Sequence, residues 1–566
     1  MSTAESTASS LHEASASGRR DDVRLIIDGG SGVDIDGKDE LERTPFYVAC
    51  RAGHVDTAAL LLDRGANIEL ERQGGATPLS VACEKNHADI VRLLLSRGAD
   101  VNRAPQGPGR SPLHVACHVG HVEPARLCLD GGAVIDRTDE QGYTPLHVAC
   151  YRGQIDAARL CIERGADLNL AEQHNATPLY SVCCNGNVVL ATLLLDNGAD
   201  VTRVNRRNES PLWVACYTGS AEMVRLCLDR GAHVDSANDH DETPLWVSSE
   251  HGHFEAVRLC LEHGAAIDRA DIDGYSPLAI ACYEGRTDVA TFLLDRGALL
   301  SNTDVDGAPP LCSASQNGHV DCVNLCLDRG AAVNGPPGVL SPMHFACEQG
   351  QVETAALLLN RGADVNRRSE SGQTPLHTAC RQGQVNTARL CIERGADIQL
   401  TTLRGETALH FASWMNHVDA ARLLLERGAD INRRTLASGK TPRDTALFMG
   451  HAAIAAWLGR VQRLGWARHL SAPRYQLVVL KELVARGRAR RTRAFFGKER
   501  LLDLLFPANT RAKRDQPRLP DELFAIIARF YWGGGMSAEE EAAVAAEAAA
   551  RAAEEAPEPE EDADAE

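Results

Sequence analysis

Long apolar runs are missing from this 566-residue chain. No stretch approaches the roughly 18 consecutive apolar residues that a membrane-spanning helix needs. The N-terminal segment, MSTAESTASSLHEASASGRRDD, also lacks the apolar centre of a secretory signal peptide. We therefore expect an intracellular protein that does not insert into membranes and that resides in the cytoplasm.

Positive charge is scarce over most of the chain. Lys and Arg number 59 against 77 Asp and Glu, a formal net charge of −18. Residues 459–518 hold 16 Lys/Arg and 4 acids (+12), whereas residues 537–566 hold 1 Arg and 12 acids (−11). Residues 519–536 add −1, so the whole −18 belongs to residues 1–458. An acidic body argues against a nucleic-acid groove, which needs a basic stripe. The basic segment and acidic tail are typical of an appended interaction module.

Motifs of catalysis and cofactor binding are absent as well. The chain has no phosphate-cradling G-x-x-x-x-G-K-[ST], no G-x-S-x-G elbow and no H-E-x-x-H. We therefore predict a protein that is not an enzyme and carries no cofactor.

What the chain does contain is one sequence motif that is repeated many times. Residues 144–169 read TPLHVACYRGQIDAARLCIERGADLN, and close copies recur about every 33 residues. The repeat proline stands at Pro45, Pro78, Pro112, Pro145, Pro178, Pro211, Pro244, Pro277, Pro310, Pro342, Pro375 and Pro442, with Ser10 and Ala408 in the same slot. These positions define fourteen repeats over residues 9–458, numbered here from the N-terminus.

Elementary helix chemistry explains one repeat. Thr144 can cap a helix with its hydroxyl, and Pro145 suits the first helical position, where no N–H partner is needed. Gly153 can adopt the left-handed conformation that ends this helix, and Gly165 can end a second one. Residues 139–142 predict a tight turn, which we call the finger of the repeat that follows it. One helix pair cannot bury its own apolar face, so neighbours must stack.

The period and the T-P-L-H-x-A core resemble the ankyrin-repeat family over about four-fifths of the chain. The resemblance implies an all-α solenoid of stacked helix pairs with projecting fingers, whose concave face binds proteins. Ser9–His12 and the TPRD of residues 441–444 are interpreted as its capping ends. We predict a disordered segment at 1–8, the ankyrin array at 9–458, a basic helical module at 459–536 and a disordered, acidic Ala/Glu-rich tail at 537–566.

The cysteines follow the repeat. Nine lie five residues after the repeat proline: Cys50, Cys83, Cys117, Cys150, Cys183, Cys216, Cys282, Cys347 and Cys380. Six lie sixteen residues after it: Cys128, Cys161, Cys227, Cys260, Cys326 and Cys391. Such regular spacing predicts small core side chains rather than disulfides. Cys312, His319, Cys322 and Cys326 could alternatively form a zinc site, but the periodicity already accounts for them and we predict no metal.

Histidine recurs in the T-P-L-H slot at His114, His147, His344, His377 and His410. In the ankyrin family this histidine is a structural hydrogen-bonding residue, so the resemblance implies the same role here. Trp213 and Trp246 occupy the slot in adjacent repeats, and Tyr180 does so in the repeat before them; we predict that they pack.

Aromatic residues make up only 5% of the chain, and their placement is uneven. In ankyrin proteins the partner contacts the finger residue before the repeat threonine and the two residues before the helix-ending glycine. Here these slots hold Tyr143, Tyr151, Arg152, Tyr217, Tyr275, Tyr283 and Trp414, including five of the nine tyrosines. Because Tyr and Trp are enriched at binding hot spots, we predict that these residues bind a protein partner. The alternative is that tyrosine is simply tolerated at a half-exposed helix end.

The C-terminal module begins where the repeats stop. Residues 475–484 and 495–506 predict short apolar helices, separated by the basic run 486–493, which is a nuclear-import signal, a nucleic-acid contact or a solvated linker. A third helix is predicted at 518–532.

This last helix resembles the start of an F-box. The matching positions of LPDELFAIIARFYW are Leu519, Pro520, Glu522, Leu523 and Ile527, and the later F-box helices are missing. Residues 480–491 faintly resemble the elongin-binding part of a SOCS box, with Val484 where that pattern has Cys. Either resemblance implies an adaptor that presents a bound target to a cullin ubiquitin ligase, through elongin or the F-box-receiving subunit. The alternative is an apolar helix that folds back as a cap.

Overall fold

The computed structural model describes residues 3–29, 33–104 and 109–464. The chain divides into two compact units, residues 1–455 and 456–566, and the described part of the second unit is the end of one helix. Every regular element in the described ranges is an α-helix, which confirms the predicted fold class.

Fourteen helix pairs follow one another along the described chain. The first seven pairs are α1 (Thr3–Ala16), α2 (Arg20–Gly29), α3 (Pro45–Ala52), α4 (Val55–Asp63), α5 (Pro78–Glu84), α6 (Ala88–Ser96), α7 (Pro112–Val119), α8 (Val122–Asp130), α9 (Pro145–Arg152), α10 (Ile155–Glu163), α11 (Pro178–Asn185), α12 (Val188–Asp196), α13 (Pro211–Thr218) and α14 (Ala221–Asp229). The other seven are α15 (Pro244–His251), α16 (Phe254–Glu262), α17 (Pro277–Tyr283), α18 (Thr287–Asp295), α19 (Pro310–Asn317), α20 (Val320–Asp328), α21 (Pro342–Gln349), α22 (Val352–Asn360), α23 (Pro375–Arg381), α24 (Val385–Glu393), α25 (Ala408–Trp414), α26 (Val418–Glu426), α27 (Pro442–Phe448) and α28 (Ala452–Leu464).

The first helix of each repeat starts where the sequence predicts. In α9 the Thr144 hydroxyl accepts a hydrogen bond from the His147 backbone N–H at 3.3 Å, and Pro145 fills the first helical position. Gly153 ends the helix with φ 72°, a left-handed conformation that a residue with a Cβ adopts only at a cost. From α3 onward every first helix begins at the repeat proline except α25, which begins at Ala408.

Stacking supplies the core that one pair cannot make. Each first helix packs on the first helices of its neighbours, and the second helices from α2 to α26 pack on one another in the same order. Packing is more extensive between first helices than between second helices. Surface ion pairs join successive second helices at their ends, as between Arg164 Nη1 and Asp130 Oδ1 at 2.8 Å.

Backbone hydrogen bonds join many pairs of successive fingers. Ile272 N–H donates to His240 O at 3.0 Å, and Val305 N–H donates to Asp273 O at 3.0 Å. Neighbouring finger tips therefore lie side by side, next to the C-terminal ends of the first helices.

The two ends of the array differ from its middle. Helix α1 begins at Thr3, so residues 3–8, expected to be disordered, are helical; extending a helix that is already nucleated costs little. In repeat fourteen Asp444 takes the histidine slot, and its Oδ2 accepts from the Thr441 N–H at 3.0 Å. The Asp444 carboxylate completes the capping box, but unlike histidine it has no N–H to donate to the carbonyl of a following finger. This is what a terminal repeat is expected to show.

All eighteen cysteines are free thiols, and all but Cys184 are buried. Each cysteine five residues after the proline meets the second-helix cysteine of the next repeat where both are present; the Cys117 and Cys161 sulfurs, for example, lie 3.6 Å apart. Burial raises the pKa of Cys50 and Cys150 far above its usual value. These contacts confirm the core assignment.

The alternative zinc ligands do not converge on one point: Cys322 and Cys326 both lie against Cys282, whereas Cys312 lies against the next finger. Cys312 Sγ faces Leu340 O at 3.8 Å, Cys322 Sγ faces Thr287 Oγ1 at 3.3 Å, and Cys326 Sγ faces Cys282 Sγ at 3.7 Å. Within the described ranges no three His, Cys, Asp or Glu side chains are grouped to hold a metal ion.

Candidate protein-binding surface

Where a repeat has histidine in the T-P-L-H slot, that histidine forms a hydrogen bond to the finger of the next repeat. In His147 the Nδ1 atom accepts from the Thr144 N–H at 3.2 Å, so Nε2 carries the proton and donates to Ala176 O at 3.3 Å. The same pair of bonds recurs at His114, His344, His377 and His410. Burial lowers the pKa of His114, His147, His344 and His377 to about 4. Both ring nitrogens therefore form hydrogen bonds that stabilise the fold.

In the central repeats tryptophan forms the equivalent hydrogen bond to the next finger. Trp213 Nε1 donates to Glu242 O at 3.0 Å, and Trp246 Nε1 donates to Tyr275 O at 2.9 Å. Both indoles are buried. In the repeat before them the Tyr180 hydroxyl donates to Glu209 Oε2 at 2.7 Å. These three residues pack in the array and hold fingers in place.

The predicted partner-binding residues share one surface, built from finger residues and from the ends of first helices; we call it the finger–helix face. Tyr151 is 58% exposed and Tyr217 is 47% exposed, which is high for rings of this size. The remaining five are exposed or half-buried: Tyr143, Arg152, Tyr275, Tyr283 and Trp414.

These aromatic residues form separate clusters rather than one patch. In repeat nine the Tyr275 and Tyr283 rings meet edge to face, with centroids 6.2 Å apart. Tyr217 stacks on Trp213 at 5.6 Å and meets His251 of the next repeat at 4.7 Å. Within the described residues no ring contact joins Tyr151 to Tyr217. The structure therefore places several small aromatic sites along the finger–helix face.

The structure also shows site residues that the sequence did not single out. His251 extends the Tyr217 cluster, and the neighbouring Glu250 has a raised pKa because it is partly buried and lies near Glu242 and Glu284. Their slots are the same helix-end slots that hold the tyrosines, so a search for charge as well as aromatic rings would have found them.

A groove of about 610 Å³ lies between the fingers and helix ends of repeats twelve and thirteen. Phe411 and Trp414, stacked at 6.3 Å, form part of its wall, and Leu403 and Met415 are exposed at its edge. Arg381 lines it too and pairs with Glu348 at 2.7 Å. Trp414 therefore contributes to a concave site of its own.

The predicted adaptor residues Leu519, Pro520, Glu522, Leu523 and Ile527 lie outside the described residues. The same holds for the basic run 486–493, for the SOCS-box-like segment 480–491 and for the acidic tail.

The fold and this face together define a repeat scaffold: stacked helix pairs that hold a row of fingers and helix ends in fixed relative positions. The family model described as "Ankyrin repeats (3 copies)" matches residues 11–105, 103–172, 165–238, 234–304, 297–369 and 365–435. A second model, "Ankyrin repeats (many copies)", matches residues 415–458. The chain belongs to the ankyrin-repeat family, whose members generally mediate protein–protein interactions and typically serve as non-catalytic scaffolds. A search of the described helices for one long and apolar enough to cross a membrane finds none.

Proposed function

We propose that this protein is a non-catalytic scaffold that recognises a protein partner on the finger–helix face of its ankyrin array. The observation that supports this most is the exposure of Tyr151 and Tyr217 in a chain with few aromatic residues. Exposed apolar rings of this size are costly in water and are typical of binding hot spots.

The surface also fits a protein better than a small molecule. The aromatic clusters of repeats five, seven, nine and thirteen are spread along the array, and a partner that contacts two of them must span several repeats. A long, discontinuous face of this kind suits a polypeptide, which can place different side chains at each cluster.

The test changes Tyr151, Tyr217 and Tyr283 together to Ala in the full chain. A matched control changes the exposed apolar residues Leu25, Val189 and Val352, which lie on second helices, to Ala. Affinity capture and mass spectrometry with the unchanged chain identify partners, and their affinities for both variants are then measured. We expect the tyrosine variant to lose binding by at least about tenfold, with nearly unchanged thermal unfolding.

Two results would contradict the proposal. One is a shifted unfolding transition with unchanged binding, which would make the tyrosines structural. The other is a loss of binding in the control variant alone, which would place the site on the second helices.

A second proposal concerns the C-terminal module: the LPDEL segment recruits a cullin ubiquitin ligase for a target held on the repeats. The support is the sequence likeness of residues 519–527 to the opening of an F-box. The full chain and its Leu519→Ala/Leu523→Ala variant are compared as baits for elongin and for the F-box-receiving subunit. Capture that needs the two leucines supports an adaptor; absence of both proteins supports a cap.

A further inference from the structure

The adjacent fingers of repeats nine and ten carry four aspartates between them. Finger nine contains Asp271 and Asp273, and finger ten contains Asp304 and Asp306. We call these two loops the acidic fingers. The backbone bond from Val305 N–H to Asp273 O places their tips side by side.

Other repeats of the same chain show what is missing here. In finger two Asp39 Oδ2 pairs with Arg43 Nη2 at 2.7 Å, and in finger five Asp139 Oδ2 pairs with Arg110 Nε at 3.3 Å. Asp271 and Asp304 occupy the same finger position and turn one oxygen to backbone N–H groups in the same way.

Neither acidic finger has the corresponding arginine. The slot of Arg43 holds Tyr275 in finger nine and Ala308 in finger ten, and the slot of Arg110 in the preceding finger holds Glu242 and Tyr275. Within the described residues Asp271, Asp273, Asp304 and Asp306 form no ion pair. The aspartates of the acidic fingers therefore lack the arginine that pairs with the equivalent aspartate in fingers two and five.

The charges act on one another and on a tyrosine. The pKa of Tyr275 is raised to about 12 by burial and by the nearby Asp304 and Asp271 carboxylates. Burial also raises the pKa of Asp271, and Asp273 adds to the shift. Negative charge is therefore close together and unbalanced around the Tyr275 ring.

Apolar surface surrounds the same charges. Tyr275 and Tyr283 meet edge to face, and Ile272 and Val305 are 52% and 71% exposed at the two finger tips. An ammonium or guanidinium group binds well where a carboxylate and an aromatic ring face it together. Its aliphatic stem gains from apolar contacts of the kind that Ile272 and Val305 offer.

We propose that the acidic fingers, with Tyr275 and Tyr283, bind lysine or arginine side chains of an extended basic segment in a partner protein. The negative charge of the acidic fingers favours a basic protein segment, because an acidic surface repels the phosphates of nucleic acids and anionic lipids. The inference rests on the proposed function, since it names the partner chemistry of one part of the finger–helix face.

The test uses the full chain and a fluorescein-labelled peptide in which arginine alternates with serine. Asp273→Asn/Asp306→Asn removes two charges whose carboxylates accept no hydrogen bond within the described residues. The control Asp156→Asn/Asp321→Asn removes two exposed charges from second helices. By fluorescence anisotropy we expect the finger variant to bind about tenfold more weakly and the control to bind unchanged, with affinity falling as salt rises.

The site is overturned if both variants weaken binding equally, because the effect would then come from overall charge. It is also overturned if the finger variant binds as the unchanged chain does, or if a peptide with glutamate in place of arginine binds as tightly. The tyrosine variant described above is tested separately against captured partners. Loss of partner binding there, with no effect of the finger variant on the arginine peptide, would reject this inference and leave the proposed function standing.

Discussion

The indole N–H of Trp246 donates a hydrogen bond to the backbone carbonyl of Tyr275 at 2.9 Å. Trp246 is a core residue of repeat eight, and Tyr275 is a surface residue in finger nine. A buried side chain of one repeat thus fixes the finger that carries Tyr275, a proposed binding residue, in the next repeat. Six other junctions use histidine for this purpose, including His12 with the Arg43 carbonyl at 2.8 Å.

Replacing Trp246 with Phe should show the strength of this tie. The aromatic ring is kept but is smaller, and the Tyr275 carbonyl loses its donor, so we expect a loss of at least about 1 kcal/mol in the free energy of unfolding. Urea denaturation measures it. Trp246→His, which restores the donor used in other repeats, should recover part of the loss through the hydrogen bond. Equal stability of Trp246→Phe and the unchanged chain would show that the bond contributes nothing.

Acidification should destabilise the array through its buried histidines. The folded pKa of about 4 at four of them lies below the unfolded value of about 6.5, so the unfolded chain binds protons that the folded rings do not. The contribution of these rings to stability is therefore fully present above about pH 6.5 and is lost between about pH 6.5 and pH 4, by up to about 3 kcal/mol per ring.

Thermal unfolding between pH 7.5 and pH 4.5 checks this expectation. Replacing His344 and His377 with Trp, the residue that repeats seven and eight use, should make the unfolding midpoint less sensitive to pH. A midpoint that stays constant down to about pH 5 would contradict the assigned protonation states.

The thiols should react very unequally. Seventeen of the eighteen are buried and only Cys184 is exposed, although partial burial raises the pKa of this thiol to about 11 and slows its reaction. We expect a maleimide to label one thiol slowly in the folded chain and all eighteen after denaturation, as counted by mass spectrometry. Cys184→Ser should abolish the slow labelling. Rapid labelling of several thiols at neutral pH would mean that the repeats open on that timescale.

The fold was predictable from the sequence because the evidence for it is local and repeated. The Thr-Pro start and the Gly end of each helix depend on neighbouring atoms, and fourteen copies average out the exceptions. The cysteine slot also depends on neighbouring atoms. Ser249, Ser315 and Ser413 occupy it in three repeats, and each hydroxyl donates to the backbone carbonyl four residues earlier.

The binding clusters were predictable only in part. Tyr143 and Tyr151 have the same spacing as Tyr275 and Tyr283, but only the second pair is in ring contact. The residue between them decides this: in repeat five the Tyr143 ring meets His147 at 5.9 Å, whereas repeat nine has the small Ala279 in that slot. Packing of this kind depends on three side chains at once, and no single slot in the sequence shows it.

One junction of the array is built differently from its neighbours. Fingers nine and ten share a backbone bond, and so do fingers eleven and twelve through Glu370 N–H and Gly338 O. Fingers ten and eleven share none within the described residues; across this junction Cys312 Sγ contacts Leu340 O at 3.8 Å, and Gln351 Nε2 donates to Gln316 O at 3.3 Å.

The opposite side of the same junction is held by Arg361 Nη1 and Asp328 Oδ1 at 2.7 Å. Helices α19 and α21 nevertheless pack closely across the junction. The acidic fingers lie on one side of it and the Trp414 groove lies on the other. Because the stacked helices set the spacing of these two sites, a partner that contacts both must carry its two contact segments at a matching distance.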